Sequence, residues 1–326
     1  MRKLTVLAAL LPCLLGCGSR GLGPRTAAPR IQVACTVQPQ SALVHVALAR
    51  GYFAAEGLEV RPTLHGFGKA ALQDMLEGRA QFATVAETPI MFSALKGDDL
   101  QVVAGVEAST LNNAIIARRS AGVAVPAALR GKRVAFTPGT TSEFFLDSIL
   151  TTLGLTRRDL VAVPCRPEDM QDALVSRRVD AASCWNYPLA GIRRALGTDA
   201  FLIQDREIYT EIFTLVAPRS FINANPGVVR RFLRALLRAE KDVARDPAGA
   251  QAVVSRASGA PLELVKEVWG AFDHRLGLDQ GLLVALEDET RWAMKNGLVP
   301  GGPMPDYRKL LYPDGLRAVA PTAVKL

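Results

Sequence analysis

The chain has 326 residues, of which 49% are hydrophobic and 21% are charged, and its formal net charge is +8. These fractions are typical of a globular protein and exclude a collagen, a coiled coil or a largely disordered chain, and the length suggests two packed lobes. The arginines occur singly or in pairs and are not interleaved with aromatic residues, which make up only 6% of the chain, so we expect no nucleic-acid partner.

The N-terminus has the pattern of an export signal. Arg2 and Lys3 give it a cationic start, and the apolar segment that follows, residues 4–15, is too short to cross a bilayer as a helix. We therefore expect residues 1–16 to form a signal peptide that is removed on export. Residues 17–29 are rich in Gly and Pro, which predicts a flexible tether.

The end of this signal, Leu14-Leu15-Gly16-Cys17, resembles the bacterial lipobox. The resemblance implies cleavage before Cys17 and lipid attachment at its thiol, and the alternative is a plain secretory signal with a chance cysteine. Two or more acyl chains anchor a protein stably to a membrane. We expect an exported protein that is lipid-anchored on the periplasmic face of a bacterial membrane.

Three cysteines remain in the expected mature body, Cys35, Cys165 and Cys184. Three is an odd number and the spacings match no zinc motif, so we expect neither a disulfide framework nor a metal site. Cys165 and Cys184 could form one disulfide if their strand ends are neighbours. The preferred interpretation is that they are free buried thiols.

The mature body alternates short apolar strands with helices. The predicted strands are 31–36, 58–64, 81–85, 100–106, 133–136, 160–163 and 181–184. The predicted helices are 41–56, 70–77, 90–96, 143–153, 167–178, 226–245, 262–272 and 280–295. This alternation predicts a mainly parallel α/β sheet that is built twice, followed by a helical C-terminal tail.

Two segments that lie about 100 residues apart are alike: 113–120 and 213–220 are both apolar and both end in Ala-x-Arg-Ser. We interpret them as two hinge strands that cross between lobes, and chance similarity of two strands is the alternative. The prediction is that residues 30–117 and 216–326 form lobe 1, and that residues 118–215 form an inserted lobe 2.

Four stretches together resemble one family of proteins. They are Ala47–Val60, Phe82–Pro89, Leu129–Ser142 and Val179–Pro188. In their order along the chain they resemble the periplasmic substrate-binding proteins of ABC importers, of the nitrate/sulfonate/taurine type, which is related to the binding proteins of thiamine-pyrimidine supply. The likeness is clear over about residues 30–220 and extends to the helical tail only by length and type.

The resemblance implies an α/β, type II-like clamshell with two hinge strands, in which the helical C-terminal tail belongs to lobe 1. It implies capture of a small anionic or zwitterionic solute in the cleft between the lobes, with closure about the hinge. It also implies a monomer that delivers its ligand to a permease and an ATPase, without a cofactor and without catalysis.

Small polar groups follow the predicted strands, where ligands of open α/β sheets bind against helix N-termini. The candidate ligand-binding residues are Gln38, Gln40, Ser41, Gly68, Glu87, Thr88, Ser109, Asn112, Thr140, Thr141, Ser142, Trp185 and Asn186. Thr88 and Ser142 could instead cap helices, and Trp185 could pack in the core. Because Glu87 would repel an oxyanion, either it faces solvent or the ligand also carries an amine or amidine.

Other motifs suggest different functions. Gly66-x-Gly68-x-x-Ala71 with Glu87 matches a dinucleotide fingerprint, but an exported protein meets little free dinucleotide, so we interpret the glycines as a turn at the rim of the cleft. Ser93 and Lys96 have the S-x-x-K spacing without its companion motifs. The alternatives left open are a sensing subunit for a separate signalling partner, a binder of a thiamine pyrimidine or other heteroaromatic precursor, and an exported enzyme.

Overall fold

The computed structural model describes residues 28–326. The predicted signal peptide, Cys17 and most of the predicted tether therefore lie outside the described residues. Within residues 28–326, no helix is long and apolar enough to cross a membrane. Of the cysteines in this range, Cys35 and Cys184 are buried and Cys165 is partly exposed, and all three are free thiols.

The described chain is built on two five-stranded sheets and thirteen α-helices. The strands are β1 (Arg30–Thr36), β2 (Glu59–His65), β3 (Phe82–Ala86), β4 (Gln101–Ser109), β5 (Asn113–Arg118), β6 (Arg133–Phe136), β7 (Val161–Pro164), β8 (Ala181–Trp185), β9 (Ala200–Ile203), β10 (Glu211–Ala217), β11 (Leu278–Asp279) and β12 (Val324–Lys325). The helices are α1 (Ala42–Ala49), α2 (Tyr52–Ala55), α3 (Gly68–Leu76), α4 (Glu87–Lys96), α5 (Thr141–Thr152), α6 (Met170–Val175), α7 (Asn186–Leu196), α8 (Arg219–Ala224), α9 (Pro226–Arg245), α10 (Pro247–Ser258), α11 (Leu262–Trp269), α12 (Gln280–Lys295) and α13 (Pro313–Arg317).

The two sheets have the same topology. The first has the order β2-β1-β3-β10-β4, with β1 parallel to β2 and β3 and with β10 antiparallel to both of its neighbours. The second has the order β7-β6-β8-β5-β9, with β6 parallel to its neighbours and β5 antiparallel to both of its own. The prediction of an α/β unit built twice is therefore confirmed.

The two similar segments are not strands that span the lobes. β5 pairs only within the second sheet and β10 only within the first, so each is the strand that directly follows a crossing. The chain crosses at residues 110–112 and again at residues 204–210, a few residues before the predicted boundaries at 118 and 215. The segments resemble each other because they hold the same place in two equivalent sheets.

Their shared Ser makes the same contact in both lobes. Ser120 donates its hydroxyl to Asp199 at 2.6 Å, and Ser220 donates its hydroxyl to Asp99 at 2.6 Å. Asp199 lies just before β9 and Asp99 just before β4, the edge strands beside β5 and β10. The Ala-x-Arg-Ser endings therefore join each central antiparallel strand to the start of its edge neighbour.

The helical tail packs on the first lobe, as predicted. α9 lies against α1 and α2, and Phe232 on α9 stacks on Phe82 of β3 with ring centroids 4.2 Å apart. Phe53 of α2 contacts the same Phe232 ring at 4.5 Å. The predicted helix 41–56 is divided into α1 and α2 at Gly51, whose φ of +68° lies in the left-handed region that favours glycine.

Candidate functional site

The candidate site is a cavity between the two lobes where several helices begin, and we call it the interlobe cavity. It is lined by Gln38, Gln40, Phe67, Gly68, Lys69, Ala86, Pro89, Thr140, Thr141, Trp185, Glu211 and Phe213. The first lobe and its strand β10 supply nine of these residues, and Thr140, Thr141 and Trp185 come from the second lobe. Its volume is about 20 Å³, which is room for about one water molecule, so the lobes are closed on each other.

The start of four helices, α3, α4, α5 and α7, faces this cavity. The residue before the first turn, or a residue of that turn, lines it in each case. The first four N–H groups of a helix have no partner within the helix, and the aligned peptide dipoles make that end positive. An anionic group of a ligand would therefore be stabilised in the interlobe cavity.

Glu211, at the start of β10, puts a carboxylate into the same cavity. The side-chain amides of Asn113, Asn112 and Gln40 donate to it at 2.7, 2.8 and 3.2 Å. Burial raises the pKa of Glu211, and these donors act in the opposite direction because they stabilise the ionised form. The cavity thus combines positive helix ends and the ammonium group of Lys69 with one carboxyl group, that of Glu211.

Asn186 joins the two lobes across this network. Its Nδ2 donates to Gln40 Oε1 at 3.0 Å and to Asn112 Oδ1 at 3.2 Å. Asn186 begins α7 of the second lobe, whereas Gln40 lies in the first lobe and Asn112 in the first crossing. Lys69 adds a second link from the first lobe, because its Nζ donates to the carbonyl of Pro138 at 2.9 Å.

Three aromatic rings form walls of the interlobe cavity: Phe67, Trp185 and Phe213. Gly68 permits the close approach of Phe213, since a Cβ at this position would lie 3.2 Å from the Phe213 ring and 3.0 Å from Cα of Val85. Aromatic faces favour flat or cationic ligands. Trp185 is therefore both well buried, at 4% exposure, and a wall of the cavity.

Ser41 and Ser142 lie inside the lobes and do not line the cavity. Ser41 Oγ accepts from the amide of Thr36 at 3.2 Å, and Ser142 Oγ accepts from the amide of Thr137 at 3.0 Å. Ser142 also donates to the carbonyl of Ser183 at 2.7 Å. The two serines tie the end of β1 or β6 to the following helix, which makes them positioning residues of the cleft loops.

Glu87 and Thr88 are also turned away from the interlobe cavity. Glu87 is fully buried, accepts hydrogen bonds from the Tyr209 hydroxyl and the Ile212 amide, and so faces neither solvent nor this cavity. Burial, with the nearby Glu211 carboxyl, raises the pKa of Glu87 to about 8. Thr88 is not the N-cap of α4, because the helix begins at Glu87 after Ala86, and its hydroxyl donates to Glu289.

Ser109 and Asn112 lie at the first crossing. Ser109 Oγ donates to the carbonyl of Ala271 at 2.6 Å and accepts from the amide of Leu111 at 3.0 Å, so it holds the crossing to the helical tail. Asn112 acts through Glu211 and Asn186 and does not line the interlobe cavity itself. Of the predicted site residues, the structure gathers Gln38, Gln40, Gly68, Thr140, Thr141 and Trp185 around the cavity, with Asn112 and Asn186 bonded to them.

The sequence did not indicate four side chains of the interlobe cavity: Phe67, Lys69, Glu211 and Phe213. The one available signal for Glu211 was a carboxylate placed directly before an apolar strand, Ile212–Ala217, where charge is unusual unless it has partners.

Residues 38–250 match the family model described as NMT1/THI5 like. This span holds all four helices whose starts face the interlobe cavity and every strand of the two five-stranded sheets except β1. The chain belongs to the NMT1/THI5-like family. A Bacillus subtilis protein named for binding aliphatic sulfonates is 24% identical to this family member over 242 residues, which are 72% of each chain.

Solved structures share the fold of this NMT1/THI5-like protein. The periplasmic aliphatic sulphonate binding protein SsuA of Escherichia coli matches with a TM-score of 0.75 at 18% identity, over 87% of this chain and 92% of its own. SsuA of Xanthomonas axonopodis pv. citri, solved with MOPS, matches with a TM-score of 0.76 at 19% identity, over 88% of this chain and 99% of its own. The nitrate-binding protein NrtA of Synechocystis matches with a TM-score of 0.72 at 14% identity, over 90% of this chain and 89% of its own. These likenesses show the two-lobed fold of periplasmic binding proteins, and each of the three is a binding protein.

Proposed function

We propose that this protein captures a small solute between its two lobes and delivers it to an ABC-type importer, without catalysing a reaction. The observation that carries the proposal is the interlobe cavity, where the start of α3, α4, α5 and α7 meets the polar side chains of both lobes. The relatives of this fold, SsuA and NrtA, bind a sulfonate or nitrate.

The ligand we propose carries an oxyanion and also an amine or amidine. The positive ends of four helices suit the oxyanion, and the Glu211 carboxylate suits a cationic group. A bare anion such as nitrate would be repelled by Glu211. A zwitterionic sulfonate such as taurine satisfies both parts of the cavity.

An aminated heteroaromatic ligand is the second candidate. Phe67, Trp185 and Phe213 provide aromatic faces on which a flat ring can stack, and Glu211 can pair with its amidine. This class of ligand includes the thiamine-pyrimidine precursors.

Capture requires the lobes to open. The interlobe cavity of about 20 Å³ does not hold a molecule of taurine size, and Asn186 and Lys69 bridge the lobes in this closed arrangement. The solute enters when these bridges part, and closure then places it among groups from both lobes.

Isothermal titration of a ligand panel tests the proposal. Taurine, isethionate (the same sulfonate with a hydroxyl in place of the amine), nitrate and an aminopyrimidine are titrated into the full chain and into Glu211→Gln. We expect taurine or the aminopyrimidine to bind more tightly than isethionate and nitrate, and Glu211→Gln to weaken the amine-bearing ligand about tenfold or more. Glu263→Gln, which changes an exposed carboxylate on α11, is the matched control.

Two outcomes would count against it. If no member of the panel binds, solute capture of this class is contradicted. If isethionate binds as tightly as taurine and Glu211→Gln changes neither affinity, the zwitterionic ligand is wrong and a simple anion takes its place.

We also propose that the protein works from the membrane surface. Cleavage after residue 16 and acylation of Cys17 would leave residues 18–29 as the tether between membrane and lobes. Fractionation of cells that express the full chain or Cys17→Ser tests this. The full chain is expected with the membranes and Cys17→Ser in the soluble exported fraction, and a membrane-bound Cys17→Ser protein contradicts the anchor.

A further inference from the structure

A larger cavity, of about 660 Å³, lies at the hinge between β4, the second crossing and α12, and we call it the hinge cavity. It is separate from the interlobe cavity, with which it shares no lining residue. One arginine stands against five carboxylates on its walls: Arg275, Glu107, Glu207, Asp273, Asp279 and Asp288.

Glu107 makes this acidic cavity unusual. Its side chain is only 1% exposed, and neither carboxyl oxygen has a hydrogen-bond partner among the described residues. A buried polar group without a partner costs free energy, and a buried carboxylate costs more. Glu107 lines the hinge cavity, so a positively charged group bound there would supply the partner that the protein does not.

Arg275 does not fill this role. Its guanidinium lies 3.6 Å from the carboxylate of Asp273 and is largely exposed. Asp288 is also paired, with Arg291 on its own helix. Glu107, Glu207 and Asp279 are therefore the carboxyl groups left for a ligand.

The distribution of charge points to an organic cation. Within residues 28–326, no group of three or more His, Cys, Asp or Glu side chains lies close enough to hold a metal ion. The wall that carries the carboxylates also has apolar side chains, which include Phe144, Ile212 and Leu282. Val284, also in the wall, is 55% exposed, which leaves apolar surface for a hydrocarbon chain to cover.

We propose that the hinge cavity is a second ligand site, which binds an aliphatic polyamine with Glu107 paired to one of its ammonium groups. The other carboxylates hold the remaining ammonium groups, and the methylene segments lie on the apolar wall. This site is independent of the solute proposed for the interlobe cavity.

Titration calorimetry with spermidine at low ionic strength tests this site in the full chain. We expect saturable binding that Glu107→Gln weakens about tenfold or more, because the charge-assisted pair is lost. Val284→Lys, at an exposed wall position, is a second variant that puts an ammonium group into the cavity and is expected to abolish binding. Glu263→Gln, on the exposed face of α11, is expected to bind spermidine as the unaltered chain does.

Three results would overturn the proposal. The first is failure of spermidine to bind the unaltered chain. Loss of binding in Glu211→Gln with retention in Glu107→Gln and Val284→Lys would place the amine in the interlobe cavity. Equal weakening by every acid-to-amide change, including Glu263→Gln, would show attraction to surface charge only. Thermal melts of each variant establish that it is folded before titration.

Discussion

The side-chain amide of Asn186 in the second lobe donates to Oε1 of Gln40 in the first lobe at 3.0 Å. The Nε2 of the same Gln40 donates to Glu211 at 3.2 Å, so one amide connects the partner lobe to the carboxylate of the cleft. Closure and the charge of the interlobe cavity are therefore linked through a single side chain. A ligand that pairs with Glu211 meets a group already held by both lobes.

Trp292 makes a further bridge between the lobes, away from the interlobe cavity. Its indole Nε1 on α12 donates to Asp147 on α5 at 2.7 Å. Trp292→Phe removes this hydrogen bond and keeps a ring, so we expect the closed form to lose about 1 kcal/mol and ligand affinity to fall a few-fold. Titration calorimetry gives the affinity, and small-angle scattering gives the size of the unliganded protein, which should increase.

The control for this change is Trp269→Phe, a substitution of the same kind at a residue that packs on His274 within the first lobe. It is expected to leave the scattering profile unchanged. A Trp292→Phe protein with unaltered affinity and unaltered size would show that this bridge does not hold the lobes together.

The buried serines are expected to affect stability and not ligand contact. Ser142→Ala leaves the amide of Thr137 without its acceptor, and Ser41→Ala removes an acceptor of the Thr36 amide. Each change should lower the free energy of unfolding by about 1–3 kcal/mol. Urea denaturation measures the loss, and calorimetry under native conditions should show ligand affinity within about threefold of the unaltered chain. A large loss of affinity at unchanged stability would mean that the hydroxyl reaches the ligand.

Gly68 is required by close packing at the start of α3. Gly68→Ala places a Cβ 3.0 Å from Cα of Val85 and 3.2 Å from the ring of Phe213, so either the helix or the cavity wall must shift. We expect a loss of about 1–3 kcal/mol in stability together with weaker ligand binding. Gly66→Ala is the matched control, because a Cβ there has nothing within 4 Å. Equal thermal melts for the two variants would contradict this account.

Stability should fall as the pH rises through the neutral range. The pKa of Glu87 is raised from an ordinary value of 4.5 to about 8, chiefly by burial and secondly by the Glu211 carboxyl. The contribution of Glu87 to the free energy of unfolding is fully present below pH 4.5, where the folded and the unfolded chain both hold the proton. This contribution is lost as the pH rises from 4.5 to about 8, because the unfolded chain releases the proton first. Burial raises the pKa of Glu107, Glu211 and Glu289 as well, so the stability that these groups contribute also falls as the pH rises.

Burial lowers the pKa of His45 and of His274, so these two groups contribute stability that rises with pH up to their ordinary pKa of 6.5. Urea denaturation at about pH 7 and about pH 8, where both histidines are mostly neutral in the folded and the unfolded chain, measures the loss from the glutamates. Glu87→Gln, which is neutral at every pH, should reduce the difference between the two conditions. A protein whose stability rises over this range, or a Glu87→Gln protein with the full dependence, contradicts the assignment of a neutral buried Glu87.

Local patterns were sufficient to predict most of the framework. The β6 segment 133–136 and the α12 segment 280–295 have the predicted bounds, because an apolar run or a helical period fixes them over a few residues. The polar residues at the ends of β1 and β6 were predicted for the cleft since the order of strands and helices in a parallel sheet brings those ends together. β9 was missed, as four residues at a sheet edge leave little alternation to detect.

The charge of the cleft could not be predicted in the same way. Gln40 and Glu211 lie 171 residues apart in sequence and meet only because β10 returns to the first sheet. For the same reason Glu87, which the sequence suggested as the carboxylate near the ligand, is turned toward Tyr209 of the second crossing. Whether a residue in the first turn of a helix points toward the cleft or into the lobe depends on tertiary packing. Thr88 is a second example, because its hydroxyl donates to the buried Glu289 and not to the cleft.

A crystal structure of the protein with the tightest ligand of the panel is the most direct measurement of solute capture between the lobes. We predict that the ligand lies between Trp185 and Glu211, with its cationic group within hydrogen-bond distance of the Glu211 carboxylate and its oxyanion at the first turn of α5. Ligand bound on the outer surface of one lobe, or bound without contact to both lobes, would contradict it.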